Sequence, residues 1–309
     1  MSKSGRIAGV ELGGTKCVAV LATREGDIVE EVKVPTTLPG ETLAAITAVL
    51  DGWWERQRFD ALGIASFGPL QLDPVASNYG HITSTAKRGW RDAPVRGPLV
   101  DRYAVPTAFD TDVNGAAASE GRWGAAQGLA DYCYVTVGTG VGVGLIVNGR
   151  PTRGLAHCEA GHMRIARLPG DEWGGSCPYH GACVEGLVAG PAIAARLGIS
   201  GEGVAADDAV WDIVVDALAQ MAQALICAAG PRRLLMGGGV LTDRPELIGR
   251  IDVRLRELIG GYLALPEDGL VIAPGLGSRA GPLGPIALAL DASAQGVGGS
   301  RHADAVDGM

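Results

Sequence analysis

The segment 157–185, HCEAGHMRIARLPGDEWGGSCPYHGACVE, contains three of the five histidines and three of the six cysteines of the chain. Two thiolates and two imidazoles within it have the composition of a closed tetrahedral zinc site: His162, Cys177, His180 and Cys183. His157 and Cys158 are alternative ligands. Because four protein ligands leave no open position for water, the pattern predicts a structural zinc and disfavours a zinc-dependent hydrolase.

Glycines cluster at three predicted strand ends, where backbone N–H groups can approach a phosphate. The clusters are the turn Gly13-Gly14-Thr15-Lys16, the stretch TVGTGVGVG with Gly138, Thr139 and Gly140, and Gly237-Gly238-Gly239 before a helix. The first is equally well explained as an ordinary hairpin turn, and it lacks the spacing of a Walker A loop. Three clusters at three strand ends together favour a bound nucleoside triphosphate.

Three carboxylates are candidates for binding or activating a hydroxyl group. Asp112 lies where a predicted strand passes into a helix, so it is either the helix N-cap or a general base for phosphoryl transfer. Taken alone, the residue favours the cap. Glu159 and Glu185 lie at the two ends of the predicted zinc loop, where they can bind neighbouring sugar hydroxyls, although a single glutamate more often only faces solvent.

The elements that must position these groups recur in the two halves of the chain. Residues 6–36 predict three strands joined by tight turns, followed by a helix over 41–57 and further strand and helix patterns. The strand, glycine turn and strand of the opening recur in DYCYVTVG and VGVGLIVNGRPT. Further helices are predicted over 184–197, 207–229 and 245–262, with the short strands RRLLMGG and GLVIAPG. The recurrence predicts a duplicated α/β fold.

Composition excludes several classes of protein. The chain has 309 residues, 47% hydrophobic and 19% charged, and a formal net charge of -8, as expected for a globular protein with two lobes. No run of Lys or Arg supports binding to nucleic acid or to an anionic membrane. The first residues lack the apolar core of a signal peptide, and no apolar run reaches the length of a membrane span. We therefore expect a cytoplasmic protein.

In order and spacing, the motifs resemble the ROK family of bacterial sugar kinases, most closely its fructokinase branch: ELGGTK, NYGHITSTAKRGW, FDTDVNGAA, TVGTGVGVG, HCEAGH, CPYHGACVEG and GGGV. The resemblance implies an actin-like, hexokinase-type (ribonuclease H-like) duplicated fold with two domains around a central cleft. The small N-terminal domain is expected over 1–113, with the C-terminal helix 281–292 returning to it. The large domain is expected over 114–280 with the zinc loop 157–185, and residues 293–309 are expected to form a disordered tail.

The resemblance also implies a role for each matching residue. Asp112 is similar to the catalytic base of the family. Sugar-binding residues are expected to be Asn78, Asp112, Glu159 and Glu185. Nucleotide-binding residues are expected to be Gly13, Gly14, Thr15, Lys16, Gly138, Thr139, Gly140, Gly238 and Gly239. ATP and Mg²⁺ are the implied cofactors, and Zn²⁺ is the implied structural metal at His162, Cys177, His180 and Cys183.

The implied function is an ATP-dependent fructokinase, a homodimer that transfers the γ-phosphoryl group of ATP to the 6-hydroxyl of D-fructose. Three departures disfavour glucose: Glu11 replaces the Asp of many members, Thr111 replaces the Asn before the base, and zinc ligation commits the His162 imidazole. The same chemistry on mannose, glucose or allose is the first alternative. The second is a noncatalytic sugar-binding regulator, which is disfavoured because only twelve residues precede Gly13 and the chain is acidic.

Overall fold

The chain forms two compact units. The computed structural model describes residues 5–298, apart from the side chains of 202 and 295–298. Among these residues, the first unit comprises 5–123, 155–157 and 278–298, and the second comprises 124–154 and 158–277. The division after Trp123 lies beyond the boundary expected at residue 113 because the helix that begins at Asp112 belongs whole to the first unit.

The first unit is built on a five-stranded sheet with the order β3-β2-β1-β4-β5. Its strands are Ile7–Leu12 (β1), Lys16–Ala22 (β2), Ile28–Pro35 (β3), Ala61–Ser66 (β4) and Thr107–Thr111 (β5). β2 pairs antiparallel with β1 and β3, whereas β1, β4 and β5 are parallel. The carboxyl ends of the three parallel strands therefore lie at one edge, where open α/β sheets bind their ligands.

Three helices lie between or directly after these strands in the chain: Pro39–Arg56 (α1), Arg96–Val100 (α2) and Asp112–Trp123 (α3). The predicted helix over 41–57 is α1, which places Leu43, Ile46, Leu50 and Trp53 in the core at helical spacing. Pro39 lies in its first turn, where a missing N–H costs no helical hydrogen bond.

The second unit repeats the topology of the first. Its strands are Tyr132–Val137 (β6), Val141–Val147 (β7), Arg150–Pro151 (β8), Leu234–Gly237 (β9) and Val271–Ile272 (β10). The order β10-β9-β6-β7-β8 and the strand directions match those of the first sheet when β6 to β10 are equated with β1 to β5. The duplicated α/β fold predicted from the sequence is confirmed.

The helices of the second unit are Val184–Val188 (α4), Gly190–Leu197 (α5), Val210–Ala229 (α6), Gly239–Thr242 (α7) and Glu246–Ile259 (α8). Residues 184–197 form two helices rather than the single predicted one. Pro191 has no N–H to donate within a continuous helix, so the chain is extended at Ala189 and a new helix begins with the proline in its first turn.

Helix α6 is the one helix of residues 5–298 that is long and apolar enough to cross a membrane, with a mean hydropathy of 1.5. The sequence prediction that no apolar run reaches such a length therefore does not hold for this helix. Much of α6 is buried within the second unit, including Trp211, Leu218 and Met221. Core helices of globular proteins share this composition.

The last helix, Ala280–Gly298 (α9), completes the core of the first unit. Ile286 and Leu290 pack with Ile7 and Val20 of the sheet. The backbone of α9 lies so close to β4 that a Cβ on Gly63 would be 1.7 Å from the Pro285 carbonyl oxygen. Residue 63 must therefore be glycine for this helix to dock.

The helix α9 is longer than expected from the sequence. Residues 293–298, expected in the disordered tail, continue it to Gly298. Each added residue of a helix gains a hydrogen bond once the helix is nucleated, so the helix extends past the end of its apolar pattern. Residues 299–309, the remainder of the expected tail, lie outside the described residues.

Candidate functional site

Asp112 is the first residue of α3 and follows the carboxyl end of β5. The helix begins two residues earlier than expected, and its cap is the hydroxyl of Thr111, which accepts a hydrogen bond from the Asn114 N–H at 3.1 Å. Beneath it, the buried Asp110 Oδ1 accepts from Asn114 Nδ2 at 2.8 Å. The other polar residues of this turn are thus occupied in holding it, whereas the Asp112 side chain accepts from backbone N–H groups at the start of the helix, among them that of Val113 at 2.9 Å.

The Asp112 carboxyl binds its proton more tightly than an ordinary aspartate does. Burial raises its pKa from 3.8 to about 6, although backbone hydrogen bonds partly oppose the shift. A carboxylate with a pKa near this value is a better proton acceptor at neutral pH than an ordinary aspartate. Because Thr111 performs the capping, the structure removes the main competing interpretation of Asp112.

A second carboxyl group, Glu11, lies one residue before the end of β1. Burial, and then the negative charge of Asp112, raise its pKa from 4.5 to about 7, while Lys16 acts in the opposite direction. The helix α9 makes room for this side chain, since a Cβ on Gly281 would lie 2.3 Å from Glu11 Oε1. Two carboxyl groups that influence each other at a sheet edge can together hold a hydrated divalent cation.

The motif Gly13-Gly14-Thr15-Lys16 forms the predicted hairpin turn between β1 and β2. The Gly13 N–H donates to the Lys16 carbonyl at 3.2 Å, and a Cβ on Gly13 would lie 2.6 Å from that oxygen. Gly14, Thr15 and Lys16 are exposed. Among residues 5–298, the N–H groups of Gly14 and Thr15 have no hydrogen-bond acceptor. The turn therefore presents backbone donors and an ammonium group to a ligand.

Asn78 lies in a turn of the first unit, where its carbonyl accepts from the His81 N–H at 3.1 Å. Its side chain is half-buried. Within the part of the chain that the structure describes, its carboxamide makes no hydrogen bond. The group is therefore available to a polar ligand.

In the second unit, the four predicted zinc ligands converge. The ligand atoms of His162, Cys177, His180 and Cys183 all lie within 4.8 Å of one another. His162 Nδ1 is 3.7 Å from each of the two sulfurs, and His180 Nδ1 is 3.7 Å from Cys177 Sγ. Tetrahedral zinc with normal bond lengths separates a sulfur and a nitrogen ligand by about 3.6 Å. The residues therefore fit a closed Zn²⁺ site, in which the metal would tie two loop segments together.

The loop backbone explains how these ligands meet. Cys177 and Gly181 exchange two backbone hydrogen bonds, of 2.9 and 3.2 Å, in a turn that Gly181 closes with a φ of 59°. Cys183 caps α4, and its Sγ accepts from the Gly186 N–H at 3.4 Å. Burial raises the pKa of this thiol to about 11, and the hydrogen bond from Gly186 partly opposes that shift. Both cysteines are buried, so they are not the surface thiols of the alternative interpretation.

The two alternative ligands lie elsewhere. His157 belongs to the first unit, where its Nε2 accepts from the Leu70 N–H at 3.0 Å. Cys158 is half-buried and is not among the residues whose ligand atoms converge. Because His162 faces the sulfurs through Nδ1, a metal there leaves Nε2 outside the cluster.

Glu185 connects the cysteine and histidine cluster with the glycine turn between β6 and β7. Its Oε2 accepts from the Val141 N–H at 3.0 Å, and its Oε1 lies 3.9 Å from His162 Nδ1. A Cβ on Gly140 would be 2.7 Å from Oε2, so the absence of a side chain there lets the carboxylate approach. Glu159 is exposed and immediately precedes the 3₁₀ turn Ala160–His162.

The glycine stretch of the second unit lies at the carboxyl edge of its sheet. The Gly138 N–H donates to the Gly140 carbonyl at 2.9 Å, and the Gly138 carbonyl accepts from Gly190 at 2.8 Å. Gly238 has a φ of 89°, and a Cβ there would lie 2.5 Å from both N and O of Val137. Only glycine allows β9 to pass into α7 this close to β6.

A cavity of about 530 Å³ opens beside this turn. The predicted residues Gly138, Thr139 and Gly239 line it, whereas Gly238 is not among its lining residues. Its other lining residues are Gly190, Pro191, Ile193, Ala194, Ser200, Gly201, Trp211, Val240, Asp243 and Arg244. Arg244 stacks on Trp211 with its guanidinium carbon 4.9 Å from the ring centroid. The volume and the mainly apolar wall suit a nucleoside.

Most residues that line this cavity could not be identified as ligand-binding residues from the sequence pattern. Trp211 and Arg244 come from segments that read only as parts of amphipathic helices or their flanks. For Glu11 the signal is its position in the motif ELGGTK, where the departure from the Asp of many family members still leaves a carboxylate that can reach hydrated Mg²⁺.

The chain is similar in sequence and in structure to known proteins. It is 38% identical over 284 residues to the fructokinase of Pediococcus pentosaceus, covering 92% of this chain and 97% of that protein. Its structure is similar to the ROK hexokinase of Thermus thermophilus, with a TM-score of 0.77 and 26% identity, covering 94% of this chain and 99% of that one.

A second solved structure is the ROK family glucokinase of Streptomyces griseus in complex with glucose and AMPPNP. It has a TM-score of 0.73 and 25% identity, and the similarity covers 93% of this chain and 100% of that one. Residues 7–292 match the model of the ROK family. The resemblance inferred from the motifs is confirmed, and the chain belongs to the ROK family.

Proposed function

We propose that this protein is an ATP-dependent fructokinase, which transfers the γ-phosphoryl group of ATP to the 6-hydroxyl of D-fructose. The observation that carries the proposal is the similarity to the Pediococcus fructokinase, which extends over nearly all of both chains. The site chemistry agrees with it, because a carboxyl group suited to general-base action, glycine turns with available N–H groups and a nucleoside-sized cavity are the parts that phosphoryl transfer requires.

On the donor side, the cavity lined by Thr139 and Gly239 holds the nucleoside. The glycine turns that contain Gly14 and Gly138 donate backbone N–H groups to the phosphates. Glu11 would help to hold hydrated Mg²⁺, which when bound would neutralise charge on the transferred group. The Streptomyces glucokinase, which binds an ATP analogue, is a relative of the same fold and supports ATP as the donor.

On the acceptor side, Asp112 accepts the proton of the sugar 6-hydroxyl as the new phosphorus–oxygen bond forms. Asn78, Glu159 and Glu185 bind the other sugar hydroxyls. Because Glu185 Oε2 is already held by the Val141 N–H, Oε1 is the oxygen that it presents to the sugar. We further propose that the enzyme is a cytoplasmic homodimer that has neither a nucleic-acid nor a membrane partner.

The function is tested by measuring ADP formation with ATP and Mg²⁺ over fructose, mannose, glucose, allose and N-acetylated hexosamines. Fructose is expected to give the highest kcat/KM, and phosphorus NMR of the product should place the phosphate on carbon 6. A higher kcat/KM for mannose, glucose or allose would replace fructose by that sugar. Sugar binding without turnover on any of them would instead indicate a noncatalytic sensor.

Replacing Gly140 with alanine should weaken sugar binding while leaving the fold intact. The new Cβ would lie 2.7 Å from Glu185 Oε2, the end of a flexible side chain, so the carboxylate can move away at little cost to stability. It then loses the Val141 hydrogen bond and its position against the sugar. We expect the KM for fructose to rise by about tenfold, as for one charged hydrogen bond, with a change in unfolding free energy of less than about 1 kcal/mol.

The matched control is Gly138→Ala, in the same turn. A Cβ there meets only the Gly239 nitrogen, at 3.9 Å, which is an ordinary contact. This variant should leave the KM for fructose unchanged, and any effect should fall on ATP. Equal increases in the KM for fructose in the two variants would contradict the placement of Glu185.

A further inference from the structure

Lys87 reaches the glycine turn of the first unit from a distant part of the sequence. Its Nζ donates a hydrogen bond to the carbonyl oxygen of Gly14, 73 residues away. Its charge also acts to lower the pKa of the Cys17 thiol, directly after the turn, although burial raises that pKa overall. A half-buried ammonium group is therefore placed at the turn that presents free backbone donors.

The loop that carries Lys87 is rigidly anchored. Trp90 is fully buried, packs edge to face on Phe67 at 5.2 Å between ring centroids, and donates from Nε1 to the Thr37 carbonyl at 2.8 Å. The Trp90 N–H in turn donates to the Lys87 carbonyl at 3.2 Å. The backbone of Lys87 is thus fixed by a core residue three positions away.

The same short segment also anchors the glycine turn. Thr36 precedes Thr37, its hydroxyl donates to the Gly13 carbonyl at 2.8 Å, and its N–H donates to the Thr15 carbonyl at 3.1 Å. The loop and the turn are therefore held to adjacent residues of one segment. This arrangement fixes the position of the Lys87 ammonium relative to the turn before any ligand binds.

An ammonium group has three N–H donors, and one neutral carbonyl is a weak partner for its charge. The turn adds two further donors, the N–H groups of Gly14 and Thr15, which have no acceptor among residues 5–298. With Lys16 exposed beside them, two positive charges and two backbone donors surround one small region. A group with several negatively charged oxygens is the complementary ligand.

We propose that Lys87 binds the terminal phosphates of the nucleotide donor. The proposal rests on the proposed function and adds to it a residue that lies within the motif NYGHITSTAKRGW but to which the resemblance assigned no role. In the absence of nucleotide, the Gly14 carbonyl holds the ammonium in place, and the phosphate oxygens take over its remaining donors. A purely structural role, in which Lys87 only secures the loop, is the alternative to be separated.

The test is calorimetric binding of a non-hydrolysable ATP analogue and of AMP, each with Mg²⁺, to the wild-type protein and to Lys87→Met, Lys87→Arg and Arg88→Met. Lys87→Met should weaken binding of the triphosphate by about 10- to 100-fold, as for a hydrogen bond between charged groups, and change AMP binding less than twofold. Lys87→Arg should recover part of the affinity. Arg88→Met removes the same charge from the exposed neighbouring residue and should have no effect.

A loss of AMP affinity as large as the loss for the triphosphate would overturn the proposal, because it would show a general effect on the loop. Equal losses of triphosphate affinity in Lys87→Met and Arg88→Met would also overturn it, because they would show that only net charge matters. Unchanged triphosphate affinity in Lys87→Met would overturn it as well. Because binding is measured without a sugar, these results stand even if no hexose is phosphorylated, and the two proposals can fail separately.

Discussion

The Asp112→Asn variant is expected to lose about 10³-fold in kcat, within the range of 10²–10⁴ typical of a general base, while its KM for fructose and ATP changes little. Asparagine keeps an oxygen that can accept the Val113 N–H but has no basic site for the hydroxyl proton. Steady-state kinetics of the two proteins at pH 8 measure the effect. Activity within about threefold of wild type would show that another group accepts the proton.

Stability distinguishes a catalytic Asp112 from a structural one. Its folded pKa of about 6 is above the ordinary 3.8, so its stabilising effect is present below pH 3.8 and is lost as the pH rises through 6. At pH 8 the buried, charged carboxylate destabilises the folded state, and asparagine removes this cost because it has no charge. The free energy of unfolding at pH 8 should therefore rise by about 1 kcal/mol after allowance for partial exposure. If Asp112 were instead a helix cap, Asp112→Asn would lower the free energy of unfolding or leave it unchanged.

The pH profile of the wild-type enzyme supplies an independent measurement. Because a general base must be deprotonated, kcat/KM, which reports the pKa values of the free enzyme, should increase with pH through about 6 and then reach a plateau. Glu11, with a pKa of about 7, should add a second inflection that is absent in Glu11→Gln. A flat profile between pH 5 and 8 would contradict both assignments.

Loss of zinc is expected to have the largest effect on stability. Metal analysis should find about one zinc per chain, and Cys183→Ser should lose it. About 3 kcal/mol of metal binding energy, well below the values for zinc-finger peptides, corresponds to a decrease in Tm of about 6–12 °C for a domain of this size. Displacement of Glu185, two residues after Cys183, should also raise the KM for fructose.

Cys227→Ser is the control, because this cysteine is exposed and lies outside the group of converging ligands. It should bind zinc and melt as the wild-type protein does. Finding no zinc in the wild type, with an unchanged Tm in Cys183→Ser, would leave the cluster as four unligated side chains that happen to be close.

The sequence was informative where chemistry and proximity along the chain coincide. The convergence of His162, Cys177, His180 and Cys183 was predictable because they fall within one short segment whose glycines permit tight turns. The duplicated sheet was predictable because strand, turn and strand recur in both halves. The break at Ala189 was also encoded, since Pro191 cannot lie within a continuous helix with all its hydrogen bonds, but the apolar pattern on both sides concealed it.

The remaining features depend on contacts between distant residues. Nothing near Lys87 indicates that its partner is Gly14, and nothing near Gly140 indicates that Glu185 needs the space. The role of Thr111 was likewise hidden, because a cap is defined by where the helix begins, and helix ends are the least certain part of any sequence pattern. Residue type suggests what a side chain can do, whereas the fold determines what it meets.

The docking of α9 onto β1 and β4 has a consequence for biosynthesis. The sheet at the start of the chain obtains part of its core from Ile286, Ala289 and Leu290 of α9, which leave the ribosome only after the entire second unit has emerged. Until then the surface that receives Ile286 and Leu290 stays open on the nascent chain, where a chaperone can bind it. A message that terminates before codon 280 would therefore produce a chain whose second unit can fold but whose first unit cannot complete its core, a substrate for proteolytic quality control.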